Sequence, residues 1–188
     1  MIDNPRIYLA GPDVFLPNPK EVGRNLQSIC EKHHLKGVFP LDAELKLDGL
    51  TSREQGLLIS SANEELIRNS QGVIANLMPF RGPSADVGTV YEVGMARGLG
   101  KIIVGYTDDP YNFYERTCKW ILDQGFNPSV KNNRLADNND MEIENFSMVD
   151  NLMIEGGIIA SGGKIFKTFE DCVIWLSGHL RNDAKERR

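Results

Sequence analysis

Short apolar runs alternate along this chain with stretches in which apolar residues recur every three or four positions. The apolar runs predict strands at 7–10, 37–40, 72–77 and 101–106. The amphipathic stretches predict helices at about 19–34, 52–69 and 87–99. Because a crossover between parallel strands needs a helix, this alternation predicts an α/β fold: a doubly wound, Rossmann-like or flavodoxin-like sheet, mostly parallel, with helices on both faces.

The pattern weakens in the second half of the chain. We expect a helix over 111–125, a last short strand over 158–160 and a final helix over 168–180. Residues 131–139 are rich in Asn and Asp and predict a long polar loop, which in a compact domain tends to be functional or mobile. The length of 188 residues predicts a single domain over 1–188.

The charge balance argues against a nucleic-acid polymer as the partner. Lys and Arg number 21 against 26 Asp and Glu, a net charge of −5, and the basic cluster of Lys185, Arg187 and Arg188 predicts a solvated tail. Free nucleosides remain possible ligands. No run approaches the roughly 18 apolar residues of a membrane span, and no signal peptide is evident, so we expect a cytoplasmic enzyme or binding protein.

Neither a metal nor an organic cofactor is expected. Cys30, Cys118 and Cys172 are too far apart for a zinc motif, and the adjacent His33 and His34 point in different directions on a helix. Neither Gly-x-Gly-x-x-Gly nor a P-loop follows any predicted strand.

A glutamate stands out in the third predicted helix. Helical spacing places Glu92 on a stripe of small and apolar residues with Gly88, and a carboxylate there is either paired at the helix edge or functional. Asp86 precedes the helix, where it can cap the N-terminus or face a crevice beyond the strand ends. We expect Gly88 and Gly94 to leave space around Glu92, although close helix packing would favour the same glycines.

A tyrosine in the first predicted strand lies across the expected crevice from that helix. The Tyr8 hydroxyl can hydrogen-bond the carboxylate of Glu92 and fix its rotamer, although a tyrosine in an apolar strand is most often a core residue. Two carboxylates and a phenol around a small concavity suit chemistry at the anomeric carbon of a sugar.

An ordered set of motifs across about residues 6–155 resembles the nucleoside 2-deoxyribosyltransferases. The motifs are IYLAGP at 7–12, IANL at 74–77, PFRG at 79–82, DVGT at 86–89, YEVGMA at 91–96 and NLM at 151–153. The resemblance implies transfer of a 2-deoxyribosyl group between nucleobases through a covalent sugar–enzyme intermediate, with 2′-deoxynucleosides and free nucleobases as partners.

The resemblance also implies roles for individual residues. Glu92 matches the family nucleophile, Tyr8 the residue that orients it, and Asp86 an aspartate near the sugar and base. Asn151 matches an asparagine supplied by a neighbouring subunit, which implies a homo-oligomer, a dimer or a hexamer built from dimers; read alone, Asn151 is a turn former. The motif residues expected to line the substrate are Gly11, Pro12, Gly88 and Met153.

The resemblance leaves the identity of the general acid open. Where some members of the family have an aspartate, this chain has Asn63, whose amide can hydrogen-bond a base edge but cannot donate a proton as an acid. Asp86, a water molecule or Asp42 are the candidates. Asp42 resembles a family position near the base, and capping its own loop is an equally good role for it. An N-glycosidase and a non-catalytic nucleoside-binding module are the alternative functions.

Overall fold

A computed structural model describes residues 4–131 and 133–186 of the chain. Arg187 and Arg188 of the predicted tail, and Asn132 of the predicted polar loop, lie outside the described residues. The strands are β1 (Arg6–Ala10), β2 (Lys36–Val38), β3 (Gly72–Asn76), β4 (Ile102–Tyr106), β5 (Ser129–Lys131), β6 (Arg134–Ala136) and β7 (Ile165–Phe166). The helices are α1 (Pro19–Lys32), α2 (Ser52–Arg68), α3 (Val87–Gly98), α4 (Phe113–Asp123), α5 (Leu152–Ala160) and α6 (Phe169–Glu186).

The main sheet has five parallel strands in the order β2-β1-β3-β4-β7. The chain leaves β1 for β2 on one side and then crosses back to β3 on the other side. The order therefore reverses between β1 and β3, and ligands of doubly wound sheets bind beyond the carboxyl ends of the strands at such a point. The predicted doubly wound α/β fold is confirmed.

Alternate residues of the central strands face two separate cores. Tyr8 and Ala10 of β1 pack towards α2, α3 and α5, whereas Ile7 and Leu9 pack towards α1 and α6. This alternation follows from the period of two in a strand, and burial on both faces explains the continuous apolar runs. It also turns Tyr8 towards the helix that carries Glu92.

The structure corrects the last predicted strand. Residues 158–160 belong to α5, and the fifth strand of the sheet is the two-residue β7. The run of two isoleucines suits a strand or a buried helix equally well. In α5, Ile154 and Ile158 lie one turn apart and are buried, while Ile159 is exposed. Helical spacing therefore accounts for the burial.

The predicted polar loop contains a small antiparallel ribbon. Strands β5 and β6 pair there, and a bridge joins Ala136 to Glu142. Among the residues that the structure describes, no helix is both long and apolar enough to cross a membrane.

Candidate active site

The Tyr8 phenol and the Glu92 carboxylate meet between β1 and α3. Tyr8 is fully buried in the middle of β1, and its hydroxyl donates a hydrogen bond of 2.6 Å to Oε1 of Glu92. Glu92 lies six residues after the N-cap of α3 and is only partly exposed. The two side chains come from elements 84 positions apart in sequence, so the fold alone brings them together.

The environment of this pair changes the acidity of both groups. Burial, opposed by the hydrogen bond from Tyr8 and reinforced by the negative charge of Asp86, raises the pKa of Glu92 to about 7. Burial and the neighbouring Glu92 charge raise the pKa of Tyr8 far above its ordinary value, so the phenol stays a hydrogen-bond donor. Above about pH 7 the site therefore holds a poorly hydrated carboxylate with one oriented oxygen.

Asp86 caps the helix that carries Glu92. Its Oδ2 accepts hydrogen bonds from the backbone N–H of Thr89 at 3.0 Å and from the Thr89 hydroxyl at 3.2 Å. A Cβ at Gly88 would lie 3.0 Å from that oxygen, so the absence of a side chain at Gly88 leaves room for the cap. Asp86 thus has a structural task and still lies close enough to Glu92 to raise its pKa.

Gly94 does not clear space around Glu92, contrary to the expectation from the sequence. It lines an apolar groove between α3 and α5, together with Val90, Val93 and Arg97. Two residues along a helix correspond to a rotation of about 200°. Gly94 therefore lies on the side of α3 opposite Glu92.

The loops that follow β1 and β3 are tied together at the point where the strand order reverses. Asn76, at the end of β3, donates from Nδ2 to Oδ2 of Asp13 at 3.0 Å, and its Oδ1 accepts from the Met78 N–H. A Cβ at Gly11 would lie 2.8 Å from the Asn76 Cβ, so only glycine permits this approach. Pro12 begins a short 3-10 turn, Pro12–Phe15.

Two aromatic rings from the same loops form a stack that the sequence analysis did not identify. Phe15 and Phe80 stack with centroids 5.5 Å apart, and the Arg81 guanidinium lies over both rings, 4.6 Å from Phe80 and 5.2 Å from Phe15. Arg81 has a φ of 56°, in the left-handed region that non-glycine residues seldom adopt. The sequence signal that could have predicted this stack is the presence of an aromatic residue in each of the two loops that follow β1 and β3.

Asp42 and Asn63, which the sequence predicts to lie near the nucleobase, differ in their surroundings. Asp42 is exposed, and its Oδ2 accepts from the Phe39 N–H at 2.8 Å and from Gln27 Nε2 at 2.7 Å. Its observed role is therefore the loop-capping one. Oδ1 of Asn63, on α2, is buried and has no hydrogen-bond partner among the described residues.

Asn151 and Met153 lie at the start of α5, and no hydrogen bond joins either to Glu92 or Tyr8 in the described chain. Asn151 is the N-cap: its Oδ1 accepts from the Met153 N–H at 3.0 Å, and its Nδ2 donates to Glu144 at 2.8 Å. Met153 is 74% exposed beside the α3–α5 groove. Asn151 also lines a cavity of about 570 Å³ between α4 and residues 137–144.

Fold and site together define an α/β protein with a carboxylate–phenol pair between α3 and β1, one of the two strands at which the order of the parallel sheet reverses. A family model, nucleoside 2-deoxyribosyltransferase, matches residues 7–153, and the chain belongs to this family.

Two relatives match most of this chain. An uncharacterised protein of Schizosaccharomyces pombe is 29% identical over 174 residues, which cover 88% of this chain and 82% of that protein. The solved structure of a 2-desoxiribosyltransferase from Leishmania mexicana has a TM-score of 0.67 at 26% identity and covers 93% of this chain and 98% of its own.

A third match concerns the fold alone. A conserved protein of Enterococcus faecalis has a TM-score of 0.57 at 22% identity, over 90% of this chain and 94% of its own.

Proposed function

We propose that this protein transfers a 2-deoxyribosyl group between nucleobases by double displacement through a covalent intermediate on Glu92. The observation that carries the proposal is the part-buried hydrogen bond of 2.6 Å between Tyr8 of β1 and Glu92 of α3. Membership of the family and the similarity to the Leishmania mexicana 2-desoxiribosyltransferase support it. We place the activity in nucleoside salvage in the cytoplasm.

In the first step the Glu92 carboxylate attacks C1′ of a 2′-deoxynucleoside. Oε1 accepts the hydrogen bond from Tyr8, so Oε2 is the oxygen that forms the bond to carbon. The N-glycosidic bond breaks, and the base leaves with the electron pair and takes up a proton. Positive charge develops at C1′ and O4′ in the transition state, and a preorganised carboxylate stabilises it before the new bond forms.

In the second step a nitrogen of the incoming base attacks C1′ from the opposite side and expels Glu92. Two inversions retain the configuration at C1′, as in retaining glycosidases. A 2′-hydroxyl withdraws electrons and opposes the positive charge, so ribonucleosides are expected to react more slowly. Transfer exceeds hydrolysis when water is poorly placed while the second base binds.

The source of the proton for the leaving base is Asp86, a water molecule or Asp42. The charge of Asp86 acts on Glu92, which favours Asp86 over Asp42. Asn63 contributes a hydrogen bond to the base edge in this scheme rather than a proton. Gly11 and Pro12, in the loop after β1, and Gly88, in the first turn of α3, line the substrate in this scheme.

We propose that Asn151 and Met153 complete the site of a neighbouring subunit in a homo-oligomer. Within one chain neither residue is hydrogen-bonded to the Glu92 pair, which supports their use in another subunit. The groove between α3 and α5, which Met153 lines, is a mostly apolar surface suited to contact with a second copy.

A single assay tests the transferase proposal. The protein is incubated with deoxyinosine and adenine, and both nucleosides, both bases and free deoxyribose are quantified. New deoxyadenosine supports the proposal. Release of deoxyribose alone would identify an N-glycosidase, and binding without turnover would identify a nucleoside-binding module.

Substitution of the nucleophile sharpens this test. Glu92→Ala is expected to abolish transfer while the protein remains folded. The matched control is Glu64→Ala, which removes a partly exposed glutamate that accepts the same kind of bond, 2.6 Å from the Tyr91 hydroxyl. Substantial residual transfer by the Glu92 variant would remove that residue as nucleophile.

Mixed oligomers test the shared site. A subunit with Glu92→Ala and a subunit with Asn151→Ala together contain one intact site, composed of Glu92 from the second and Asn151 from the first. Activity is therefore expected to return on mixing. If mixed oligomers form and stay inactive, the site is not shared in this way.

A further inference from the structure

A buried ion pair, Arg116 with Asp150, contacts the segments that carry Asp86 and Asn151. Arg116 of α4 is only 6% exposed, and the Asp150 side chain is fully buried, with Arg116 NH2 3.4 Å from Asp150 Oδ2. The mechanism above uses neither residue. A buried pair costs desolvation and is weak evidence of stability on its own, so its full set of contacts decides its role.

Both oxygens of Asp150 hold the loop between β3 and α3. Oδ1 accepts from the Ser84 hydroxyl at 2.6 Å, and Oδ2 accepts from the Ala85 N–H at 2.9 Å. The next residue along the chain is Asp86, the N-cap of the helix that carries Glu92. The Asp150 carboxylate therefore fixes the point at which α3 begins.

The same carboxylate also fixes the start of α5. Oδ1 accepts from the backbone N–H of Asn151 at 2.7 Å. Asn151 is the N-cap of α5, and its side-chain amide is held further by Glu144. Asp150 thus sets the backbone position of Asn151 directly.

Arg116 joins the two segments through their carbonyl groups. Its Nε donates to the Pro83 carbonyl at 2.6 Å, NH2 to that of Val149 at 2.6 Å and NH1 to that of Tyr111 at 2.8 Å. Pro83 precedes the Asp86 loop, and Val149 precedes Asn151. A planar guanidinium with fixed donor directions can bridge these carbonyls, whereas the single ammonium of lysine cannot.

We infer that the Arg116–Asp150 pair is a positioning device that holds Asp86 and Asn151 in one geometry, and so serves two active sites at once. The inference rests on the proposed shared site: one subunit uses its Glu92 helix in its own site and lends its Asn151 to the neighbour. A change at Asp150 should therefore disturb the site on each side of the subunit.

The test measures transfer by mixed oligomers of Asp150→Asn with Glu92→Ala, and of Asp150→Asn with Asn151→Ala. The new amide can no longer accept at every position that the carboxylate serves, and we expect kcat of the pure variant to fall about 100-fold, as for a misplaced reacting group. Mixed with Glu92→Ala, the one complete site uses the Glu92 helix of the Asp150 variant. Mixed with Asn151→Ala, the one complete site uses Asn151 of the Asp150→Asn subunit. Both mixtures are therefore expected to stay low.

Ser84→Ala gives the contrasting pattern. It removes one bond on the Asp86 side and leaves the bond from Asp150 to the Asn151 N–H in place. This variant is expected to be complemented by Asn151→Ala and not by Glu92→Ala. Asp123→Asn is the control on α4, because it removes an exposed ion pair with Lys119 and should complement fully with both.

The outcomes separate this inference from the proposed function. Failure of the mixture of Glu92→Ala with Asn151→Ala would contradict the shared site itself, and the inference with it. Recovery in that mixture, together with recovery of Asp150→Asn by either partner, would overturn the inference alone. Thermal unfolding shows whether Asp150→Asn is folded. If it is not, Arg116→Lys takes its place, because this variant keeps both charges and is expected to show the same lack of complementation.

Discussion

Replacing Glu92 with glutamine is expected to stabilise the protein at alkaline pH. Glutamine keeps the shape of the side chain and can still accept the hydrogen bond from Tyr8, but it carries no charge to desolvate. Burial raises the pKa of Glu92 from its ordinary 4.5 to about 7. At about 1.4 kcal/mol per pKa unit, the ionised carboxylate lowers the free energy of unfolding by about 3 kcal/mol.

The sign of this effect on the free energy of unfolding, and the pH range in which it develops, follow from proton binding by Glu92. Below pH 4.5 the carboxyl is protonated in both the folded and the unfolded chain, so it contributes no difference. Between 4.5 and about 7 the folded state retains its proton more tightly, and stability falls as the pH rises. Above pH 7 the full cost is present, and Glu92→Gln removes it.

Thermal unfolding at pH 8 and pH 4 measures this effect. For a chain of this size, about 3 kcal/mol corresponds to a rise in Tm of roughly 6–12 °C at pH 8. The difference should disappear at pH 4.

The matched control is Glu64→Gln, on the other tyrosine–glutamate pair. Hydrogen bonds from Tyr91 and Arg68 lower the pKa of Glu64, so its ionised form is favoured in the folded state. The control should show no gain at pH 8. Equal or lower stability of Glu92→Gln at pH 8 would refute the claim that Glu92 is a poorly hydrated carboxylate.

Three further predictions concern the rate and the loops. The value of kcat/KM for deoxynucleoside is expected to fall as the pH drops below about 7, because protonation removes the nucleophile; a flat profile down to pH 5 would disagree. Tyr8→Phe removes a hydrogen bond that lowers the pKa of Glu92, so the acid limb of that profile should move to higher pH, and an unmoved limb would mean that the bond is unimportant. Asp42→Ala is expected to cost about 1 kcal/mol in urea unfolding through the lost loop cap and to spare turnover. A loss of transfer at unchanged stability would instead assign Asp42 as the general acid.

Local sequence patterns predicted most of the sheet and the contact between Tyr8 and Glu92. The strands and helices up to Tyr106 follow from apolar periodicity, and the facing of Tyr8 towards Glu92 follows from strand alternation combined with helical spacing. These features depend on residues within one element or on a standard crossover. The two-residue β7 and the helical state of 158–160 were not predicted, because β7 forms by pairing with β4 and α5 forms while packed against α3 and β4.

The supporting network could not be predicted from the sequence. Asp13 and Asn76 are 63 residues apart, and Arg116 and Asp150 are 34 apart, so each pair joins two segments whose local patterns do not indicate the contact between them. Any Asp or Arg in such segments is most often a surface residue. Only the closed fold shows that these groups are buried together and that they connect the loops of the site.

Detection of the covalent intermediate tests the central claim most directly. The protein is mixed with deoxyinosine without an acceptor base, quenched in acid within milliseconds to seconds, digested and examined by mass spectrometry. A deoxyribosyl group on the peptide that contains Glu92, absent from Glu92→Gln, is the expected result. Release of base at an undiminished rate by Glu92→Gln, or a sugar adduct on a different residue, would contradict the account.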